Sequence, residues 1–252
     1  MALLLCYIFV TSLVASATRA SHGPSQQVIQ ADASRIYSPI RDALVGASII
    51  PDVLDDFEPT FSLLISYPST HTTIALGSYV SPDAVRSQPV FEFHPLLNPP
   101  SPNPNPTPAP KPHHPTKSYS LVLTDPDAES RRHPIWSEMC HWIVSNISTP
   151  GLIGLQQQDA NNPIVTSPSY NLTAHILKSY LPPSPPAGTD YHRYVFVLLE
   201  GDAATAYNIT APRQRKHWGY GGVRRGVRDW AMEYGLEVVG AGFFYAKAAE
   251  GT

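Results

Sequence analysis

Two apolar runs separated by a polar, proline-punctuated loop constrain this chain more than any other feature. The segment Leu121–Asn146 reads LVLTDPDAESRRHPIWSEMCHWIVSN. Its first run begins at Tyr119, continues through Leu121-Val122-Leu123, and breaks at Asp125-Pro126-Asp127. Apolar sequence returns at His141-Trp142-Ile143-Val144. Short apolar runs bounded by such breakers read as strands, because proline removes a backbone donor and Asp side chains favour turns. A second segment, Pro185-Pro186-Ala187-Gly188-Thr189-Asp190-Tyr191-His192-Arg193-Tyr194-Val195-Phe196, repeats the plan, a turn leading into a strand that runs to Glu200. With a carboxylate where one strand ends and histidines where two others begin, Asp125, His141, His192 and Tyr194 are expected around one small pocket mouth.

Elsewhere the strand signal recurs at Phe61–Tyr67, Ile74–Leu76, Val90–Phe93 and Glu237–Tyr245. Helical spacing is confined to two places. One is Ala31–Ala47, with Ile36, Ile40, Ala43 and Ala47 on one face and Pro39 expected to disturb its middle. The other carries Val223, Val227, Trp230 and Tyr234, with Arg224, Arg225 and Arg228 around the far side and Gly235 as its stop. Residues Ser169–Tyr180 carry mixed signals. Many strands with few helices predict a mainly β protein, an antiparallel sandwich with peripheral helices. Asn98–Pro115, NPPSPNPNPTPAPKPHHP, lacks many backbone donors and buries almost nothing, so it reads as an exposed, partly polyproline insertion. The expected organisation is a segment 1–20 followed by one domain, 21–252, with that insertion at 98–115.

The opening MALLLCYIFVTSLVASA, ending in the Ala15-Ser16-Ala17 pattern, reads as a secretory signal cleaved after Ala17 or Ala20. The apolar run ends too early to span a bilayer comfortably. The mature chain is then expected outside the cell, or in a vacuole, and loses Cys6. Cys140 remains alone, so no internal disulfide forms. Three sequons follow, at Asn146, Asn171 and Asn208, with the last two the better glycan candidates.

A pocket with histidine and tyrosine donors and turn N–H groups suits a compact anion such as phosphate or carboxylate. Asp125 is wrong as an anion contact but right for holding the second nitrogen of a histidine. Two histidines and a carboxylate also suit a metal ion, but here they come from separate segments with no compact ligand motif, and no metal or cofactor is expected. Hydrolysis with histidine as base is the competing chemistry. No serine stands in a GxSxG context, and Cys140 beside His141 points to the opposite face of a strand. The net charge of −3 argues against a nucleic-acid partner. The basic cluster Arg213, Arg215, Lys216, His217, Arg224, Arg225 and Arg228 reads first as a solvated face; against an anionic lipid surface each charge would contribute about 1 kcal/mol.

DPDAESR at Asp125–Arg131, then Glu138 and His141 leading an apolar strand, then PPAGTDYHRYVF, resemble the phosphatidylethanolamine-binding protein family. IIPDVLDDFEPTFSLLISY at Ile49–Tyr67 is similar to its opening, and YGLEVVGAGFFYA at Tyr234–Ala246 to its closing strand. The resemblance implies a large central sheet packed on a smaller one. It also implies that Asp125, Trp136, His141, Pro185, His192 and Tyr194 line a phosphate-type pocket. The function so implied is non-catalytic binding of a phospholipid headgroup or similar anion. Inhibition of a serine carboxypeptidase is the alternative, since that protease would share the compartment, and hydrolysis by the His/Asp pocket is the second alternative. Glu129, Cys140 and Asp190 depart from the family's frequent proline, histidine and glycine, and Trp136 stands where many relatives carry tyrosine.

Overall fold

The computed structural model of the chain describes residues 39–96, 117–147, 154–156, 164–167 and 170–248. The expected signal segment and the proline-rich insertion therefore lie outside the described residues. A helix over residues 39–46, α1, leads into a single turn, α2 (Ile49–Asp52). Pro39 is the first described residue of α1, and residues 31–38 of the expected helix lie outside the described residues. Leu44 and Ala47 are buried behind it, on the face the spacing predicts.

The strands are β1 (Phe61–Tyr67), β2 (Thr72–Ile74), β3 (Ser78–Tyr79), β4 (Val90–Pro95), β5 (Lys117–Asp125), β6 (Met139–Ile147), β7 (Gly154–Gln156), β8 (Ile164–Ser167), β9 (Tyr170–Lys178), β10 (His192–Asp202) and β11 (Glu237–Ala246). They form a three-stranded sheet, β2-β1-β4, and an eight-stranded sheet, β3-β11-β10-β5-β6-β9-β8-β7. Every pairing is antiparallel except β3 with β11. Strand β2 is shifted from the expected Ile74–Leu76, and β3, β7 and β8 were not expected; each is two to four residues long, too short for a side-chain period to emerge.

The large sheet is covered on both faces, which explains why β5, β6 and β10 read as continuous apolar runs rather than alternating ones. On one face Leu121, Leu123, Val144, Phe196 and Leu198 pack against Phe61, Ile65, Phe91 and Phe93 of the small sheet. On the other, Val122, Ile143, Val195, Val197 and Leu199 meet Leu44, Ile49 and Val53 and the helix α3 (Val227–Tyr234) through Val227, Trp230 and Ala231. The fold is thus mainly β, two packed sheets with helices outside them. Val223 is half exposed and precedes α3 instead of belonging to its apolar face, while Gly235, at φ 62°, ends the helix as its sequence position predicts. Gly240 lets the small sheet close on the large one, since a Cβ there would lie 2.9 Å from the Phe61 carbonyl oxygen.

Candidate functional site

Three strand ends converge on a small cavity of about 130 Å³. Strand β5 ends in Asp125, β6 begins with Met139 and carries His141, and β10 begins with His192 and Tyr194. Antiparallel neighbours bring a strand's end beside its partner's start, so residues far apart in sequence meet here. Of the sequence-expected residues, Asp125, Trp136, His141, His192 and Tyr194 all line the cavity. Pro185 is buried beside it, while its neighbours Ser184 and Pro186 form the wall. Ala128, Met139, Leu181 and Pro182 complete mostly apolar walls. Those residues lie in loops or at a strand start, where no periodic signal marks them.

Asp-Pro-Asp does two jobs. The Asp125 carboxylate accepts the Asp127 N–H at 2.7 Å, turning the chain, and its other oxygen accepts Nδ1–H of His192 at 2.9 Å. Asp127 faces the opposite way and holds Arg193, whose Nε and Nη2 donate to its two oxygens at 2.8 and 2.6 Å. Because side chains alternate along β10, His192 and Tyr194 reach the cavity while Arg193 reaches the helix side. There it also donates to the Ala47 and Ser48 carbonyls and to Asp52. Sequence reading missed this buried arginine as an organiser, although its place between two cavity residues on a strand was a usable signal.

His141 reaches the cavity through an irregularity. Leu123 pairs with Trp142 and Thr124 with Cys140, leaving His141 as the extra residue of a β-bulge. Cys140 consequently belongs to the helix-side core and Trp142 to the other. The Cys140 thiol is fully buried and its pKa is pushed up to about 12 by that burial, so it is no nucleophile. The expected opposition of Cys140 and His141 is what the strand geometry produces.

The two histidines differ in charge. Burial lowers the pKa of His141, and Nδ1 donates to the Leu181 carbonyl at 2.7 Å, which leaves Nε2 of the neutral ring as an acceptor. For His192 burial also opposes the charge, but the hydrogen bond and charge of Asp125, with Asp127 behind, outweigh it and raise the pKa. Geometry agrees. The Thr189 hydroxyl gives its proton to the Pro186 carbonyl at 2.7 Å, so toward Nε2 of His192, 3.2 Å away, it acts only as acceptor. Both ring nitrogens of His192 then carry protons. Tyr194 sits between the rings, edge-on to His141 at 5.2 Å and stacked on His192 at 6.4 Å, and burial raises its phenol well above the ordinary value.

The basic cluster is largely engaged internally. Arg215 donates to the carbonyls of Cys140, His141 and Ser179, and Arg224, Arg225 and Arg228 pair with Asp52, Asp229 and Asp55. Lys216 lies 3.6 Å over the ring of Trp136. Among the described residues no group of three His, Cys, Asp or Glu side chains is placed to hold a metal ion.

These features, two packed sheets and a cavity built on DPDAESR and HRYVF, are those of one family, and its model, described as Phosphatidylethanolamine-binding protein, matches residues 84–244. The chain belongs to the phosphatidylethanolamine-binding protein family. It is 30% identical over 209 residues to the carboxypeptidase Y inhibitor of Saccharomyces cerevisiae, spanning 82% of this chain and 94% of that protein. A solved structure of carboxypeptidase Y inhibitor complexed with its cognate proteinase superposes with a TM-score of 0.64 at 29% identity, covering 84% of this chain and 97% of that one. A phosphatidylethanolamine-binding protein from Plasmodium vivax shares the fold, with a TM-score of 0.62 at 21% identity over 84% of this chain and 98% of that one.

Proposed function

We propose that this chain is a non-catalytic inhibitor of a serine carboxypeptidase. The observation that carries the reading is the likeness, across nearly the full length of that relative, to a carboxypeptidase Y inhibitor seen in complex with its proteinase. This reverses the order of the two readings that the motifs alone favour. Function in such a protein resides in surfaces grafted on the fold, so tight inhibition is assigned to surface segments outside the small cavity. The test is hydrolysis of a blocked dipeptide by carboxypeptidase Y with increasing amounts of the purified chain. Saturable loss of activity at stoichiometric protein is expected; full activity at large excess sinks the reading.

A second reading concerns the cavity, which takes a compact anion such as phosphate or a phospholipid headgroup. Its support is the protonated His192 beside a neutral His141 in a space too small for a large ligand. Only His141 has a nitrogen left to change state, so an anion that accepts a hydrogen bond there binds together with a proton. Calorimetry with inorganic phosphate and glycerophosphoethanolamine is expected to show proton uptake, with affinity falling as pH rises, and to lose the signal in His192→Ala. Binding independent of pH and of His192 would place the anion elsewhere.

Entry into the secretory pathway through residues 1–20 belongs to the same proposal. Glycosylation fits best at Asn208, which is exposed at the end of the turn Ala206–Asn208. Asn146 is half-buried in β6, and the side chain of Asn171 lies outside the described residues. Amino-terminal sequencing and glycosidase treatment of the secreted protein test both points. Contact with an anionic membrane surface would rest on Arg213 and Lys216, which no carboxylate among the described residues neutralises, and vesicle sedimentation tests it.

A further inference from the structure

A second cavity lies on the helix side of the large sheet, with a volume of about 410 Å³. Its walls include Trp218 and Trp230, both 1% exposed and both part of the helix-side core. None of its lining residues is shared with the Asp125–His192 cavity. At about three times that cavity's volume, it is in the range of small-molecule sites.

The chemistry of its rim is of two signs. Arg213 is exposed, and among the described residues its guanidinium makes no ion pair and no hydrogen bond. Beside it, the backbone nitrogens of Gln214 and Arg213 lie 3.4 and 3.6 Å from where a Cβ on Gly219 would stand. Neither N–H has an acceptor among the described residues. Gly219, at φ +80°, lets the chain turn close against this segment beside Arg213. Glu233 lines the same cavity and accepts from the Tyr220 hydroxyl, but makes no ion pair with Arg213. Tyr234 and Tyr220 add aromatic walls, with the Tyr234 hydroxyl held by Thr210 at 2.6 Å.

A rim cation with no counter-ion among the described residues asks for an anionic group. A carboxylate among tyrosine rings asks for an ammonium, which the ring faces also attract. The partly exposed rings of Tyr220 and Tyr234 ask for an apolar or aromatic body against them, while Trp218 and Trp230, packed on each other with centroids 5.7 Å apart, close the floor beneath. We propose that this cavity binds a zwitterion of amino-acid to dipeptide size with an aromatic side chain, its carboxylate on Arg213 and its ammonium on Glu233. The site is independent of the anion cavity and of protease inhibition, so failure of either leaves this one standing or falling by itself.

The test is calorimetric titration of the full chain with phenylalanine and with alanyl-phenylalanine, whose relative affinities separate a free amino acid from a peptide as the source. Saturable binding of at least one is expected, weakened about tenfold or more in Arg213→Gln and again in Glu233→Gln. Both side chains are exposed on the rim, so both variants are expected to fold, and an unchanged thermal-unfolding midpoint serves as the control on folding. Phenylalaninamide and N-acetyl-phenylalanine, each lacking one charge, are expected to bind about tenfold or more weaker. No binding of either zwitterion, equal affinity in both variants, or undiminished binding of either blocked compound overturns the proposal.

Discussion

Asp125 carries the state of the cavity. Its carboxylate accepts Nδ1–H of His192 and orients the ring, raises that ring's affinity for a proton and turns the chain toward Asp127. Asp125→Asn keeps the size and one acceptor but removes the charge. The His192 proton, measured by NMR titration of the ring, is expected to leave at lower pH than in the wild type. Stability is expected to fall by about 2 kcal/mol, less than for an orphaned buried charge, because the ring is free to become neutral. A His192 titration unmoved by this change would mean that Asp127, not Asp125, sustains the charge. That both histidines and Asp125 would meet at one cavity was legible because polar side chains at the ends of apolar strands stand out. The opposite charge states were not legible, because they depend on Leu181, Thr189 and Pro186, which the fold alone brings within hydrogen-bonding distance.

Strand β10 and the helical segment α1–α2 are joined through Arg193. One guanidinium satisfies Asp127, Asp52 and the carbonyls that follow α1, with Arg193 and Asp127 both buried. Arg193→Met removes every one of these bonds and leaves Asp127 buried without its counter-ion. A loss of about 3–5 kcal/mol in urea unfolding is expected, with Arg193→Lys rescuing little because an ammonium cannot form the planar, two-oxygen contact. Recovery of most of the stability by lysine would reduce Arg193 to a simple point charge. The same strand shows why its period of two was hard to use from sequence. Both faces are buried, so apolar residues run without interruption from Val195 to Leu199 and only His192, Arg193 and Tyr194 mark which side is which.

The fold as a unit responds to pH through three buried groups with different signs. His141 is held neutral while the unfolded ring is not, so its contribution is lost as pH falls below the ordinary histidine value of 6.5. His192 binds its proton more tightly when folded, so its contribution is full below 6.5 and disappears as pH rises through its raised folded value. Glu138 lies fully buried against α3, with Thr124 and the Val227 N–H on one oxygen and, among the described residues, no donor on the other. Burial lifts its pKa from 4.5 to about 8, so stability falls as pH rises between those values. Wild-type stability is therefore expected to decline from pH 6.5 to 8. Glu138→Gln is expected to remove a slope of up to about 1.4 kcal/mol per pH unit. Parallel thermal-unfolding profiles for the two proteins over that range would show that Glu138 is not protonated in the fold.

Local sequence determined where the chain is extended, where it turns and which few polar residues stand at strand ends. These follow from apolar runs, prolines and Asp side chains acting over a handful of positions, and so did the mainly β class and the cavity's Asp, His and Tyr. Tertiary structure alone decided that His141 would be the extra residue of a bulge, because register depends on what β5 offers opposite β6. It alone decided that Asp127 would serve Arg193 rather than the cavity, and that residues 210–234 would enclose a second hollow with an arginine on its rim that is unpaired among the described residues. Such outcomes depend on contacts between segments distant in sequence, whose geometry no local pattern encodes.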